Sequence, residues 1–326
     1  MPLFSSLTAV ASRSAAGALA RARGAGTVAA AGLLALMVGA CGSLSVAGAR
    51  RGVISAVGAE NEYANVLEQI GGRYVHVSSI LNDPNTDPHT FESSPSVAQQ
   101  VASAQLIVQN GAGYDTFMQR IEAASPNPRR RVIVVGRLLG LPADVPNPHL
   151  WYAPRTMPAV AAAIAADLSA LQPSHASYFR TNLASFDASL APLRRALAAF
   201  RARYAGTAVA TTEPVADYLL QAMGLRNLTP FAFQADVMNG VDPAPEDIAL
   251  ETGLLTGHRV RLLCYNEQVA DPLTASILRT ALRSRVPVVG VYETMPTPGY
   301  DFQSWMLAEV DAIERAVTVH ASTQRL

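Results

Sequence analysis

The order of short β-branched runs and longer amphipathic stretches constrains the fold of this chain more than any other feature. From residue 52 onward, apolar β-rich runs alternate with stretches in which apolar residues recur at helical spacing, and the same alternation returns after residue 203. Alternation of this kind is typical of parallel sheets covered by helices. The sequence therefore predicts an α/β fold with two similar βα lobes. Strands are predicted at 53–57, 75–80, 106–109, 132–135, 207–210, 228–233, 260–264 and 286–291.

Matching segments of the two halves share letters, as in LIVQNGAGYDTF and RLLCYNEQVADPL. Between the halves, residues 156–203 are rich in Ala, Leu and Arg and are interrupted only at the Gln172–Pro173–Ser174 break. The second helix of this segment, about 30 residues long, would reach about 45 Å. We therefore expect an N-terminal lobe (52–155), connecting helices with one long spine helix (156–205) and a C-terminal lobe (206–326), with a cleft between the lobes.

The amino terminus has the layout of an export signal. Residues 26–40 are uncharged and apolar, follow several arginines and end in small residues. The closing letters VGAC resemble a bacterial lipobox, which implies that residues 1–40 are a signal peptide and that Cys41 is lipidated and followed by a linker (41–51). The protein is then exported and anchored on the extracytoplasmic side, at the cell surface or in the periplasm. A plain signal peptide with an incidental cysteine, or a core helix, is the alternative.

Charge and cysteine content exclude several classes of protein. Charged residues make up 15% of the chain and the formal net charge is zero, with three arginines in the first 40 residues and no acidic residue there. The remainder is slightly acidic and its only basic run is Arg129–Arg131, so we expect no nucleic-acid partner. Cys264 is the one cysteine besides Cys41, so the exported chain has no intrachain disulfide.

Four polar residues follow predicted strands, at the edge where ligands of open parallel sheets bind. His89 and His149 lie in loops of the first half, Glu213 and Glu293 in loops of the second, and each is close to a proline that restricts the loop. Imidazole and carboxylate together suit divalent manganese, zinc or iron. Two bidentate glutamates would give six donors, as manganese accepts, whereas four monodentate donors would resemble zinc.

The segments DPHTFE, which contains His89, and NPHLWYAP, which contains His149, resemble the metal-binding lipoproteins of bacterial zinc- and manganese-type ABC importers. The similarity extends from VISAVGAENEYANVLEQIGG to DFQSWMLAEVDAIERAV. It implies a substrate-binding protein, not an enzyme, that captures one divalent ion between two lobes and delivers it to a permease driven by an ATPase. In that family the third and fourth ligands fall on Glu213 and Glu293, and Asp301 is a rival for the fourth.

Departures from the family pattern bear on the choice of metal. Many zinc receptors of the group have a His-rich loop before the second ligand and a His as third ligand, whereas residues 136–147 contain no histidine and the third position is Glu213. These differences favour manganese or iron; the expected cargo is Mn²⁺ or Zn²⁺, with Fe²⁺ third, bound by a monomer. Because the ligand is neutral imidazole, affinity should fall below about pH 6.5.

Three alternatives are open at this stage. A metal-dependent hydrolase could use Glu92 as general base, although four protein ligands leave little room for a reactive water and the HExxH motif is missing. A surface adhesin-like lipoprotein would have no transport role and would show no stabilisation by metal. A receptor for an organic ligand such as an iron chelate would place Arg or aromatic residues in the cleft.

Overall fold

The computed structural model of the protein describes residues 52–83, 91–269, 271–296 and 298–326. Two four-stranded parallel sheets form the framework, and the strand order is the same in both: β2-β1-β3-β4 and β6-β5-β7-β8. The predicted pair of similar α/β lobes is therefore confirmed. The predicted signal peptide, Cys41 and the linker that follows it lie outside the described residues.

The first sheet consists of β1 (Ile54–Glu60), β2 (Val75–Leu81), β3 (Leu106–Gln109) and β4 (Arg131–Val134). β1 pairs with both β2 and β3, and β3 pairs with β4, in parallel throughout. All four residues of β3 are buried, as expected for a central strand that is covered on both faces. The helices of this part are α1 (Asn61–Gly71), α2 (Pro95–Ser103), α3 (Thr116–Ala124) and α4 (Val135–Leu138).

The second sheet repeats this arrangement with β5 (Ala208–Thr211), β6 (Arg226–Asn227), β7 (Leu263–Asn266) and β8 (Val288–Val291). β5 pairs with β6 and β7, and β7 pairs with β8. In each sheet the chain leaves the two central strands toward opposite sides, so a crevice opens at their carboxyl ends. The helices are α8 (Asp217–Ala222), α9 (Phe231–Met238), α10 (Pro245–Thr256), α11 (Pro272–Arg283) and α12 (Phe302–Val319).

The strand predicted at 228–233 is wrong, because β6 has only two residues and α9 begins at Phe231. Phe231, Phe233 and the neighbouring apolar residues have the composition of a strand. They follow Pro230, however, which adopts extended backbone angles directly before the first turn of the helix. One face of α9 packs Phe233 and Val237 into the core of the second lobe. Tertiary packing therefore overrides the local β propensity.

The connecting segment forms α5 (Thr156–Leu171), α6 (Ala176–Ser189) and α7 (Ala191–Tyr204). The predicted spine helix is bent at Leu190, between α6 and α7, and is not one continuous rod. Pro192 explains the bend, because it has no N–H to donate to the carbonyl of Ala188 and its ring crowds that carbonyl. Phe186, Leu193 and Phe200 lie on the buried side of the two helices, so the bend keeps both in contact with the core.

Local capping fixes the two helices that flank the last strand. Asp271 starts α11 and Asp301 starts α12, each in a reciprocal capping box with the residue three positions later. The side chain of Asp301 accepts a hydrogen bond from the Ser304 backbone N–H at 2.8 Å and is exposed. None of the helices in the described ranges is both long and apolar enough to span a bilayer.

Candidate metal centre

His149, Glu213 and Glu293 converge where the carboxyl ends of the two sheets face one another. His149 directly precedes the 3-10 turn Leu150–Tyr152, Glu213 lies two residues after β5, and Glu293 lies two residues after β8. All three are at most 2% exposed. The structure thus brings together three of the four residues predicted from the sequence. His89 lies outside the described residues, and its place in the site stays a prediction.

The imidazole of His149 is oriented by its own loop. Its backbone N–H donates to Asn147 Oδ1 at 3.0 Å, and its Nδ1 lies 2.8 Å from the same oxygen. Asn147 Nδ2 donates to the Pro214 carbonyl at 2.7 Å, which identifies Oδ1 as the accepting atom. Nδ1 of His149 therefore carries the proton in the neutral ring, and the lone pair is on Nε2, 3.6 Å from Glu293 Oε2. A ring held in this way is typical of a metal-binding histidine.

Asn266 joins the two glutamates. Its Nδ2 donates to Glu213 Oε1 at 3.1 Å and to Glu293 Oε1 at 2.7 Å, while its Oδ1 accepts from the Gln268 backbone N–H at 3.0 Å. One amide group therefore holds two carboxylates from different strand ends side by side. Two adjacent buried carboxylates repel each other unless a proton or a cation neutralises them.

The loop that carries Glu293 is held by Gln268 and Tyr114. Gln268 Oε1 accepts from the backbone N–H groups of Glu293 and Thr294 at 2.7 and 2.9 Å. Tyr114, from the opposite lobe, donates its hydroxyl proton to Glu293 Oε2 at 3.0 Å. Burial and the charge of Glu293 raise the pKa of Tyr114 well above its usual value, so this hydroxyl stays a donor at neutral pH. The hydroxyl and the Asn266 amide thus orient Glu293 from both lobes.

Sequence reasoning missed these orienting residues, although one signal was present. The segment LIVQNGAGYDTF and the segment RLLCYNEQVADPL align Asn110 with Asn266. Both asparagines end the third strand of their sheet or directly follow it. Asn110 accepts the Tyr63 hydroxyl proton at 2.7 Å and donates to the Pro148 carbonyl at 2.8 Å, next to His149. Equivalent positions in the two lobes therefore support the two walls of the site.

Further carboxyl groups lie behind the site. Glu60, Glu62 and Asp115 are all nearly inaccessible to solvent. Burial raises the pKa of Glu62 well above its usual value, and the charge of Glu293 adds to that shift. Burial likewise raises the pKa of Asp115 to about 6. Burial thus favours the protonated, neutral form of these carboxyl groups. A nearby cation would favour the ionised form instead.

The other sequence predictions have mixed outcomes. Asp301, the rival fourth ligand, caps α12 and is exposed. Glu92, the general base of the hydrolase alternative, is exposed as well. Within the described ranges no three His, Cys, Asp or Glu side chains form a metal-binding group by themselves.

A family model described as "Zinc-uptake complex component A periplasmic" matches residues 57–316. Among curated proteins, the manganese-binding lipoprotein MntA of Bacillus subtilis is 24% identical over 161 residues, which is 46% of this chain and 51% of that protein. The chain thus matches about half the length of this relative.

Solved structures of similar proteins share the fold. The substrate-binding protein FpvC of Pseudomonas aeruginosa, in complex with Ni²⁺, is 22% identical, with a TM-score of 0.67 over 83% of this chain and 99% of that chain. A crystal structure of ZnuA is 20% identical, with a TM-score of 0.67 over 82% and 100% of the two chains. At these identities the likeness shows the fold alone.

Proposed function

Because the chain belongs to the zinc-uptake complex component A family, whose model matches most of its length, we propose that it binds one divalent transition-metal ion between its lobes and delivers it to an ABC permease. A protein of this family is a carrier component of a metal-uptake system and not an enzyme.

The convergence of His149, Glu213 and Glu293 carries the proposal. Each side chain is buried, and each is oriented by a neighbour: Asn147 for the imidazole and Asn266 for both carboxylates. Together with His89, two imidazole nitrogens and two carboxylates would hold the ion. A buried pair of carboxylates facing an imidazole costs free energy in the absence of a cation, and the cation removes that cost.

The donor set favours manganese or iron over zinc. Two glutamates can supply up to four oxygens in addition to the imidazole nitrogens, which suits an ion that accepts six donors. Structural zinc sites are usually tetrahedral. The name of the B. subtilis relative, a manganese-binding lipoprotein, supports this choice. The FpvC structure holds Ni²⁺ in the same fold, so the fold by itself does not select the metal.

We further propose that the protein acts as a monomer outside the cytoplasmic membrane, anchored by a lipidated Cys41. The layout of residues 1–41 supports export and lipidation. The family description places its members in the periplasm. The permease and its ATPase are the partners that such a carrier requires.

Metal content and competition titration test the function. We expect protein purified without tags to carry close to one divalent ion, and manganese, zinc and iron to compete for one site. An ion at 100 times its dissociation constant should raise the free energy of unfolding by about 2.7 kcal/mol. Protein that retains no ion and gains no thermal stability from any of the three metals would contradict the proposal and favour the adhesin-like alternative.

A matched pair of variants distinguishes Glu293 from Asp301 as fourth ligand. Glu293→Gln keeps the size of the side chain and one neutral oxygen donor but removes the charge, so we expect affinity for Mn²⁺ to fall roughly 10- to 100-fold, less than on complete loss of a ligand. Asp301→Asn removes the same charge but keeps a residue that caps helices well, so affinity and stability should stay unchanged. Isothermal titration of both variants checks this, and a larger loss in Asp301→Asn would reverse the assignment.

A further inference from the structure

A second buried network connects the two loops that carry His149 and Glu293. The Tyr152 hydroxyl lies three residues after His149 and donates to the carbonyl of Tyr292 at 2.9 Å. The backbone N–H of Tyr292 donates back to the same hydroxyl oxygen at 3.2 Å. One phenol group therefore binds both polar backbone groups of Tyr292, the residue directly before Glu293.

Glu309 of α12 completes the network. Its Oε1 lies 3.3 Å from the Tyr152 hydroxyl and accepts from Trp305 Nε1 at 3.2 Å. Tyr152, Trp305 and Glu309 are at most 1% exposed. The rings of Tyr152 and Trp305 pack edge to face with their centroids 5.5 Å apart. The group that supports the two loops is thus shielded from water.

Counting protons indicates the state of Glu309. The Tyr152 hydroxyl has a single proton, and its nearer acceptor is the Tyr292 carbonyl. Glu309 Oε1 is a second acceptor for the same proton, at the longer distance of 3.3 Å. A carboxylate would be the stronger acceptor and would draw the proton to itself, so the shorter bond to the Tyr292 carbonyl agrees with a neutral carboxyl group.

The surroundings of Glu309 agree with a neutral carboxyl group. The titratable groups that face it are Tyr152, Tyr292 from the loop after β8, and Cys264 on β7, none of which is a cation. Arg203 on the neighbouring α7 pairs instead with Glu314, at 3.8 Å. Burial raises the pKa of Glu309 to about 8, although its hydrogen bonds from Trp305 and Tyr152 lower it in part.

We propose that Tyr152 and neutral Glu309 are positioning residues of the metal site, which hold the His149 loop and the Glu293 loop at a fixed separation. This inference rests on the proposed function and adds to it two residues that do not touch the ion. Tyr152 is the clamp, which means that its hydroxyl binds both backbone groups of Tyr292. Neutral Glu309 leaves the hydroxyl proton of Tyr152 directed at the Tyr292 carbonyl.

Ionised Glu309 would disrupt this arrangement. A carboxylate is a stronger acceptor than a peptide carbonyl, so the Tyr152 proton would turn toward Glu309. The buried carbonyl of Tyr292 would then lose its donor, and the Glu293 loop would be held less firmly. The affinity for metal should therefore fall on the alkaline side of neutrality, in addition to the loss that protonation of the histidines causes on the acidic side.

Mn²⁺ titrations of three variants at pH 7 and pH 9, with oxygen excluded, test the proposal. Tyr152→Phe should weaken Mn²⁺ binding about tenfold at pH 7, the loss expected when one buried hydrogen bond is removed. Glu309→Gln cannot ionise, and its side-chain oxygen can still accept from Trp305 and Tyr152, so its affinity at pH 7 should stay within about threefold of the wild type. The wild type should lose about tenfold between pH 7 and pH 9, and Glu309→Gln should not. Tyr204→Phe, on the connecting helix α7, is the matched control.

Hydrogen exchange of the Tyr292 backbone N–H in the metal-free protein tests the role of Tyr152 independently of metal binding. Tyr152→Phe should accelerate this exchange, whereas Tyr204→Phe should leave it unchanged. If the wild type binds none of Mn²⁺, Zn²⁺ and Fe²⁺, the proposed function fails, and unchanged Tyr292 exchange in Tyr152→Phe then overturns the positioning role of Tyr152 as well. If the wild type binds Mn²⁺ but Tyr152→Phe binds equally well, or Glu309→Gln loses affinity at pH 9 like the wild type, the positioning role is wrong. Should Tyr152→Phe not fold, the pH profile of Glu309→Gln decides alone.

Discussion

Alanine in place of His149 is expected to lower the affinity for Mn²⁺ by more than about 100-fold. The substitution removes one nitrogen donor from a site in which Glu293 Oε2 lies 3.6 Å from the imidazole Nε2. Even neighbours that only orient a metal ligand are worth about 10- to 100-fold in affinity, so loss of a ligand itself should exceed that range. Competition titration against a fluorescent chelator would measure the change.

The control for this experiment is His258→Ala. His258 is exposed and lies far along the chain from the predicted ligands. Its removal therefore tests whether loss of a histidine outside the site also lowers the affinity for Mn²⁺. Unfolding of metal-free His149→Ala should remain cooperative, with a free energy lowered by roughly 1–3 kcal/mol because the substitution leaves a cavity. A cooperatively folded His149→Ala protein that binds Mn²⁺ within threefold of the wild type would show that His149 is not a ligand.

The second large effect concerns stability. Burial raises the pKa of Glu309 to about 8 and that of Glu251 to about 7, from an ordinary value of 4.5. The folded protein therefore keeps protons that the unfolded chain releases, and the free energy of unfolding falls as pH rises. The loss begins near pH 4.5 and is complete above pH 8. We expect it to amount to about 3–6 kcal/mol for the two groups together, roughly half of what the full shifts imply.

The double variant Glu251→Gln, Glu309→Gln isolates this contribution. Neither glutamine titrates, so the variant should lose about 3–6 kcal/mol less than the wild type between pH 5 and pH 8.5 in urea unfolding of the metal-free protein. The comparison cancels the titration of histidines and of the carboxyl groups near the metal site, because both proteins share them. Parallel pH profiles in the two proteins would mean that these glutamates ionise as readily in the fold as in the unfolded chain.

The free energy of unfolding and the affinity for metal are expected to change with pH in opposite directions. Acidic conditions should favour the fold through Glu251 and Glu309 but weaken metal binding through the histidines. Loss of metal at pH 5.5 would therefore come from protonation of ligands and not from unfolding. Measurement of binding and unfolding on the same samples separates the two.

Much of the fold could be predicted from the sequence because it depends on local periodicity. The strands β2 and β3 are found close to the predicted ranges 75–80 and 106–109. The error at residues 228–233 has the opposite cause. There the backbone follows the packing of Phe233 and Val237 into the second lobe, and the local preference for a strand is overridden.

The candidate site, too, could be predicted from the sequence only in part. The position of Glu213 and Glu293 at the crevice was predictable because the residues that follow the carboxyl ends of parallel strands face it. The exposed position of Asp301 could not be predicted, because it depends on helix α12, which begins at Phe302 with Asp301 as its cap. The capping box of Asp301 and Ser304 is visible in the sequence only once the start of that helix is known.

The sequence by itself determined which chemical groups are available at the strand ends, because strand and helix periods are local properties of the chain. Only the tertiary structure decided how those groups are held. Asn266 joins glutamates that come from two different strands, Tyr114 reaches Glu293 across 179 positions, and Tyr152 reaches Glu309 across 157. These contacts depend on how the sheets and α12 pack together, and no period along the chain encodes a distance between residues so far apart.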